Sequence, residues 1–287
     1  MAGARAFKEC RKIGGSQIRN LLNAKDFFLF DCDGVIWHGE KAITGAPKVV
    51  SSLIKHGKNV FFVTNNCTRP RENYVNKFYR LGFTDVMQEQ IFSSSYCSAL
   101  YLRDVAKVQG KVFVIGGEGV RNELLEAGIP FVGDEDAPDG TIFNCALASD
   151  VNAVLVGHDD KFTFLKLAKA SCYLRDPNCL FLATDVDPWH PLQDGRILPG
   201  KPSPFMFECI SSQFRVDPAQ CLMVGDRLET DMLFGANCGL DTMLTLTGIS
   251  QMKTAQEYRD SDHSTNHNFV PDYVVDTIAD FLPAFED

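Results

Sequence analysis

The sequence lacks most of the patterns that would assign its class at a glance. Ten cysteines occur among 287 residues, yet no two are spaced as CxxC, and a chain this long buries a core without disulfide staples. Cys32 lies between two aspartates, and Cys145, Cys179, Cys221 and Cys238 sit in or beside apolar segments. They read as reduced, mostly packed thiols. No apolar run approaches the roughly 20 residues that a membrane-spanning helix needs. The basic start MAGARAFKECRKIGGSQ has no apolar stretch behind it, so no membrane association and a place in the cytoplasm, specifically the cytosol, are expected. HExxH and tight Cys/His groupings are missing, which leaves zinc chemistry unsupported. VFVIGGEGVR has neither GxGxxG spacing nor a Walker lysine, so it is no independent nucleotide site. There is no internal repeat and no low-complexity tract. Positive charge is also short, with 28 Lys and Arg against 37 Asp and Glu for a net charge of −9. That average field repels nucleic acid, while leaving room for a local basic pocket around a small phosphate.

What is present is alternation. FFLF (27–30), VFFV (60–63), VFVIGG (112–117), AVLVG (153–157), CLFLA (179–183), CLMVG (221–225) and MLTLTG (243–248) read as strands, each short and rich in β-branched or aromatic residues. Between them, 47–57, 70–82, 118–128 and 162–175 carry helical spacing with Gly or Pro punctuation. Such alternation implies an α/β fold with mainly parallel, doubly wound sheets covered by helices on both faces. Residues 105–200 hold their own strand–helix set and read as an inserted domain. The flanks 1–104 and 201–287 then form one discontinuous core. The polar stretch 259–269 reads as a loop.

Polar candidates gather where strands end, which in open α/β sheets is the ligand crevice. FFLFDCDGVIWHG delivers Asp31 and Asp33 just past a strand, where a turn can aim both at one phosphate. At this point the sequence resembles the haloacid dehalogenase-like phosphatases, whose first motif is an apolar strand followed by DxDG. The resemblance implies that Asp31 is the nucleophile forming an aspartyl-phosphate. It also makes Asp33 the general acid for the leaving alcohol and then the base for water, a division that suits two neighbouring carboxyls. Attack on a phosphate dianion needs a cation to offset repulsion. The GDxxxTD match in CLMVGDRLETD implies a site in which Asp31, the backbone carbonyl of Asp33 and Asp226 hold magnesium. Asp231 orients a ligand or water from behind, or alternatively caps a helix. Hard oxygen donors favour Mg2+ over zinc. Thr64, Asn65 and Asn66 resemble the second motif, which holds phosphoryl oxygens. Alone, TNN is a turn or helix start. Lys201 in GKPSP matches the family lysine that offsets charge on nucleophile and phosphate.

The resemblance spans nearly the whole chain and is closest to the capped branch that contains pyridoxal phosphate and phosphoglycolate phosphatases. Through FVTNNCTRPR, VIGGEG, TDVDPWHPL and GKPSPFMFECI it implies that the insert is a specificity cap. Arg69 then lies near the phosphate and His190 packs on a pyridine ring, although Trp189 and His190 also suit ordinary turn packing. His158 stands where the resembling enzyme has tyrosine, and its imidazole is smaller and can gain charge. Pyridoxal 5'-phosphate is the leading substrate, with 2-phosphoglycolate or phosphoserine on a protein such as cofilin as alternatives. One departure stands out. TDVDPWHPLQDGRILPG runs directly into Lys201 where the related enzymes place a crossover helix and a strand, roughly 20 residues at ordinary element lengths. A shortened cap, a weakened homodimer and a catalytically impaired binding protein are the corresponding expectations.

Overall fold

The computed structural model describes residues 8–133, 147–185 and 199–286. His190, the DPWHP run and most of the shortened stretch before Lys201 lie outside the described residues, as does Cys145. The chain forms two compact units, one made of Met1–Thr64, Val75–Phe92 and Lys201–Asp287, the other of Asn65–Tyr74 and Ser93–Gly200.

In the first unit a seven-stranded sheet runs in the order Arg11–Lys12, Tyr273–Val275, Asp241–Thr245, Cys221–Gly225, Phe27–Phe30, Asn59–Thr64, Ile91–Ser93. From Arg11–Lys12 across to Asn59–Thr64, every neighbouring pair is parallel. After Phe27–Phe30 the chain winds outward through Asn59–Thr64. It later returns beside Phe27–Phe30 as Cys221–Gly225 and winds out the other way. The reversal point is where open α/β sheets place ligands. Register sharpens this, because Phe30 pairs with both Phe62 and Val224, so the chains continuing to Asp31, Thr64 and Asp226 leave the same edge. Aromatic packing holds these strands, with Phe30 and Phe62 ring centroids 6.3 Å apart and Phe62 and Phe78 4.4 Å apart. The helix Ala46–Lys55 starts after Gly45, which takes φ 85°, with Pro47 in its first turn. It buries Val49, Val50 and Leu53, each contributing on the order of 1.5–3 kcal/mol, and it ends before Gly57, at φ 73°.

The second unit has its own parallel sheet, ordered Leu180–Ala183, Val151–Val156, Lys111–Ile115, Phe131–Val132. Alternation along Lys111–Ile115 sends Val112 and Val114 to one face, against Val120 and Leu124 of the helix Glu118–Glu126. Phe113 and Ile115 go to the other face, against Ala170 of the helix Phe164–Tyr173. Burial on both faces explains why these strands read as continuous apolar runs.

The α/β expectation with parallel sheets therefore holds, while some boundaries move. The strand expected over 243–248 is Asp241–Thr245, because Ser250 donates its backbone N–H to the carbonyl of Asp226 and turns the chain back. The expected loop 259–269 contains a 3-10 helix, Ser264–Phe269. Among the described residues no helix is long and apolar enough to cross a membrane, and every described cysteine is free.

Candidate active site

The site is assembled from four separate stretches of the first unit. Asp31 follows Phe27–Phe30 and donates its backbone N–H to the Val224 carbonyl (2.9 Å), which ties it to the neighbouring strand. Asp226 follows Cys221–Gly225, and its Oδ2 accepts the Ile249 N–H at 2.8 Å. Asp231 lies in the π-helical turn Leu228–Met232, where its Oδ2 accepts the backbone N–H groups of Asp226 and Arg227, both at 3.1 Å. One carboxyl oxygen from each of Asp31, Asp226 and Asp231 falls within 4.8 Å of the others.

Lys201 is the counter-charge. Its side chain is 2% exposed, and Nζ stands 2.5 Å from Asp31 Oδ1 and 2.7 Å from Asp231 Oδ1. The second contact is an ion pair outside hydrogen-bond geometry. Nζ also donates to the Val63 carbonyl at 2.9 Å. Burial works against the ammonium, but Asp231 and Asp31 outweigh it and raise its pKa, so the lysine stays charged. Burial likewise pushes the Asp31 carboxyl well above the usual carboxylate range. Lys201 opposes that rise, and Asp231 and Asp226 add to it. Asp226 is pushed up to about 6 by burial and by Asp231, against the pull of the Ile249 N–H and Lys201. Three carboxylates around one ammonium leave excess negative charge in a water-poor site, which is what a hard divalent cation relieves.

The residues fit such an ion. Both Asp231 oxygens are occupied, one by two amides and one by Lys201. Among the described residues, Asp31 and Asp226 each accept a hydrogen bond at one side-chain carboxyl oxygen, leaving the other for an ion. The floor is built for close approach: a Cβ at Gly34 would stand 2.6 Å from Asp226 Oδ2, and a Cβ at Gly248 would collide with the same oxygen. Asp33 is exposed, and its Oδ1 accepts the Trp37 Nε1–H at 2.9 Å. Cys32, between the two aspartates, is fully buried. Burial, then the charges of Asp31 and Asp33, hold its thiol pKa well above the ordinary value. Thr64 ends Asn59–Thr64 and is 2% exposed.

Other expected binding residues lie in the second unit. Asn65, Asn66 and His158 line one open cavity of about 510 Å³ together with Cys67, Thr68 and Asp185. Asn66 Oδ1 accepts from the backbone N–H and hydroxyl of Thr68, closing a turn. His158 is exposed, with Nε2 2.8 Å from Asp160 Oδ1, and its backbone N–H donates to Cys67 Sγ. Arg69 is half-buried and does not line that cavity. Its backbone N is 2.6 Å from where a Cβ on Gly119 would sit. Sequence reasoning missed Trp37, Ile249 and the buried Arg71–Glu123 pair (3.0 Å). For Trp37, the spacing DxDGVIW was the available signal.

A family model described as haloacid dehalogenase-like hydrolase matches residues 28–130, and a second, HAD-hydrolase-like, matches 198–281. Chronophin from Homo sapiens is 46% identical over 302 residues, covering 97% of this chain and 99% of that protein. Glycerol-3-phosphate phosphatase from Gallus gallus is 41% identical over 306 residues, covering 98% of each. Among solved structures, a p-nitrophenyl phosphatase from Archaeoglobus fulgidus superposes with a TM-score of 0.72 at 26% identity, covering 89% of this chain and 97% of that one. With its carboxylates grouped at the strand ends and these relatives matching over nearly their whole lengths, the chain belongs to the haloacid dehalogenase-like hydrolases and is a phosphoric monoester hydrolase.

Proposed function

We propose that this enzyme transfers the phosphoryl group of a small monoester to Asp31 and then hydrolyses the aspartyl-phosphate. The observation that supports it is the grouping of Asp31, Asp226 and Asp231 around the buried ammonium of Lys201. An Asp31 oxygen attacks phosphorus while Asp33 gives a proton to the departing ester oxygen. Asp33 then takes a proton from the water that attacks the acyl phosphate, releasing inorganic phosphate and restoring both carboxyls. Lys201 fixes Asp31 and offsets the charge that gathers in the transition state. The Thr64 hydroxyl and the amides that follow it at Asn65 and Asn66 hold phosphoryl oxygens. Asp31 and Asp226, with the Asp33 carbonyl, would hold magnesium, and Asp231 aligns the amides of Asp226 and Arg227. Bound there, the ion supplies charge neutralisation for an anionic nucleophile meeting an anionic ester.

Pyridoxal 5'-phosphate is the proposed substrate, on the strength of the DPWHP and PFMFECI resemblance and the 46% identity to chronophin. Arg69, His158 and His190 are its proposed contacts. The 41% identity to glycerol-3-phosphate phosphatase favours glycerol 3-phosphate as a second reading. The shortened cap, a homodimer weakened by it and a cytosolic site of action complete the proposal. The alignment with chronophin, 302 positions against 287 residues here, accords with a gap in this chain. A panel of pyridoxal 5'-phosphate, glycerol 3-phosphate, 2-phosphoglycolate and a phosphoserine peptide, with magnesium and with EDTA, tests it. Magnesium-dependent preference for the first, lost in His190→Ala, is expected. Preference for another ester, or turnover that EDTA leaves intact, overturns the assignment.

A further inference from the structure

The Trp37 indole is completely buried, yet its one polar atom points at an exposed carboxylate. Nε1–H donates to Asp33 Oδ1 at 2.9 Å. The ring has little freedom to move. Phe78 meets it edge-on at 4.8 Å between centroids, Phe83 does so at 6.5 Å, and Lys77 Nζ lies 3.9 Å from the ring centroid. The backbone reinforces the arrangement, because Gly34 donates its N–H to the Trp37 carbonyl and Trp37 donates its own to the Cys32 carbonyl. Asp33 follows directly after the Cys32 peptide, so ring and carboxyl are parts of one closed turn. An exposed aspartate ordinarily samples several rotamers at little cost. Here a fully buried indole of fixed orientation selects one of them.

We propose that Trp37 is a positioning residue for Asp33, holding Oδ1 so that Oδ2 carries the proton delivered to the leaving-group oxygen. This rests on the reading of Asp33 as the general acid. In the first step Oδ2–H passes its proton to the ester oxygen as the P–O bond breaks and the Asp31 O–P bond forms. In the second, the water oxygen bonds to phosphorus as the Asp31 O–P bond breaks, and Oδ2 takes the water's proton. Throughout, Oδ1 keeps the indole bond. Lys77, set over the ring, attracts its electron density and strengthens the N–H as a donor.

The test compares an alkyl phosphate, whose alcohol leaves only with proton assistance, with 4-nitrophenyl phosphate, whose phenolate leaves without it. In Trp37→Phe, kcat/KM, which reports the first chemical step, is expected to fall about tenfold or more for the alkyl ester. For the nitrophenyl ester it changes less than about twofold. Equal losses on both esters, or none on either, overturn the proposal. Asp33→Asn is measured in parallel. A loss confined to the alkyl ester there, without one in Trp37→Phe, sinks the role of Trp37 and leaves Asp33 as the acid. No leaving-group dependence in Asp33→Asn sinks the acid assignment itself. If Trp37→Phe does not fold, 3-benzothienylalanine at position 37, with sulfur in place of N–H, carries the same comparison.

Discussion

Lys201→Met keeps the length of the side chain and removes its charge. In the folded protein the ammonium is 2% exposed, 2.5 Å from Asp31 Oδ1 and 2.7 Å from Asp231 Oδ1. Without it, three grouped carboxylates lose their nearest cation. Breaking a buried pair by removing one partner costs ~3–5 kcal/mol, which in a protein of this size lowers Tm by on the order of 10 °C. The loss depends on pH in a defined direction. Asp226 sits at about 6 even beside Lys201, and without the lysine the carboxyl pKa values rise further. The folded variant therefore takes up protons before the unfolded chain does, and the deficit against wild type shrinks as pH falls from 8 towards roughly 5. Saturating magnesium is expected to restore part of it, since the ion supplies positive charge to the same oxygens. Urea unfolding of both proteins at several pH values, with EDTA and with magnesium, reads all three effects. A destabilisation below ~1 kcal/mol that is flat with pH refutes the account of Lys201 as the charge that makes this carboxylate group tolerable.

Gly248→Ala places a methyl against Asp226 Oδ2, and isothermal titration is expected to show magnesium affinity lowered about tenfold or more. Arg71→Met leaves Glu123, 1% exposed, without its guanidinium and is expected to destabilise by ~3–5 kcal/mol in chemical unfolding. Arg103→Ala, which breaks an exposed pair with Asp104, changes the same measurement by less than ~0.5 kcal/mol. For metal-free wild type, the Asp226 pKa goes from 3.8 unfolded to about 6 folded. Its contribution to stability therefore falls as pH rises between those values, and a calorimetric series over that range checks the sign.

The interior strands were legible because burial on both faces writes unbroken apolar runs, as in Phe27–Phe30 and Cys221–Gly225. Ile91–Ser93 and Tyr273–Val275 were not, at three residues each too brief for a period to show. The helix Phe205–Phe214 was missed for a different reason: FMFECISSQF is apolar on most sides and buries Met206, Phe207, Cys209 and Ile210 without a clean polar face. Asp31, Lys201, Asp226 and Asp231 were named from their motifs, and the fold brings them together. Which oxygen meets which partner is set by the fold. That Asp231 spends Oδ2 on two amides and Oδ1 on Lys201 depends on a turn geometry that spacing alone does not fix. The Ile249 amide, donated to Asp226 from 23 residues away, left no mark in the sequence because any residue but proline supplies an N–H.

Cys32 carries a consequence for how this enzyme withstands oxidants. Thiols react with peroxides and alkylating agents as thiolates, and ionising this one would put a new negative charge between Asp31 and Asp33 in a site already rich in them. Burial first, and then those two carboxylates, keep this thiol protonated and so unreactive. Among the described cysteines, iodoacetamide should label the half-exposed Cys172, Cys179 and Cys238 ahead of the buried Cys32, leaving turnover intact while these thiols are consumed.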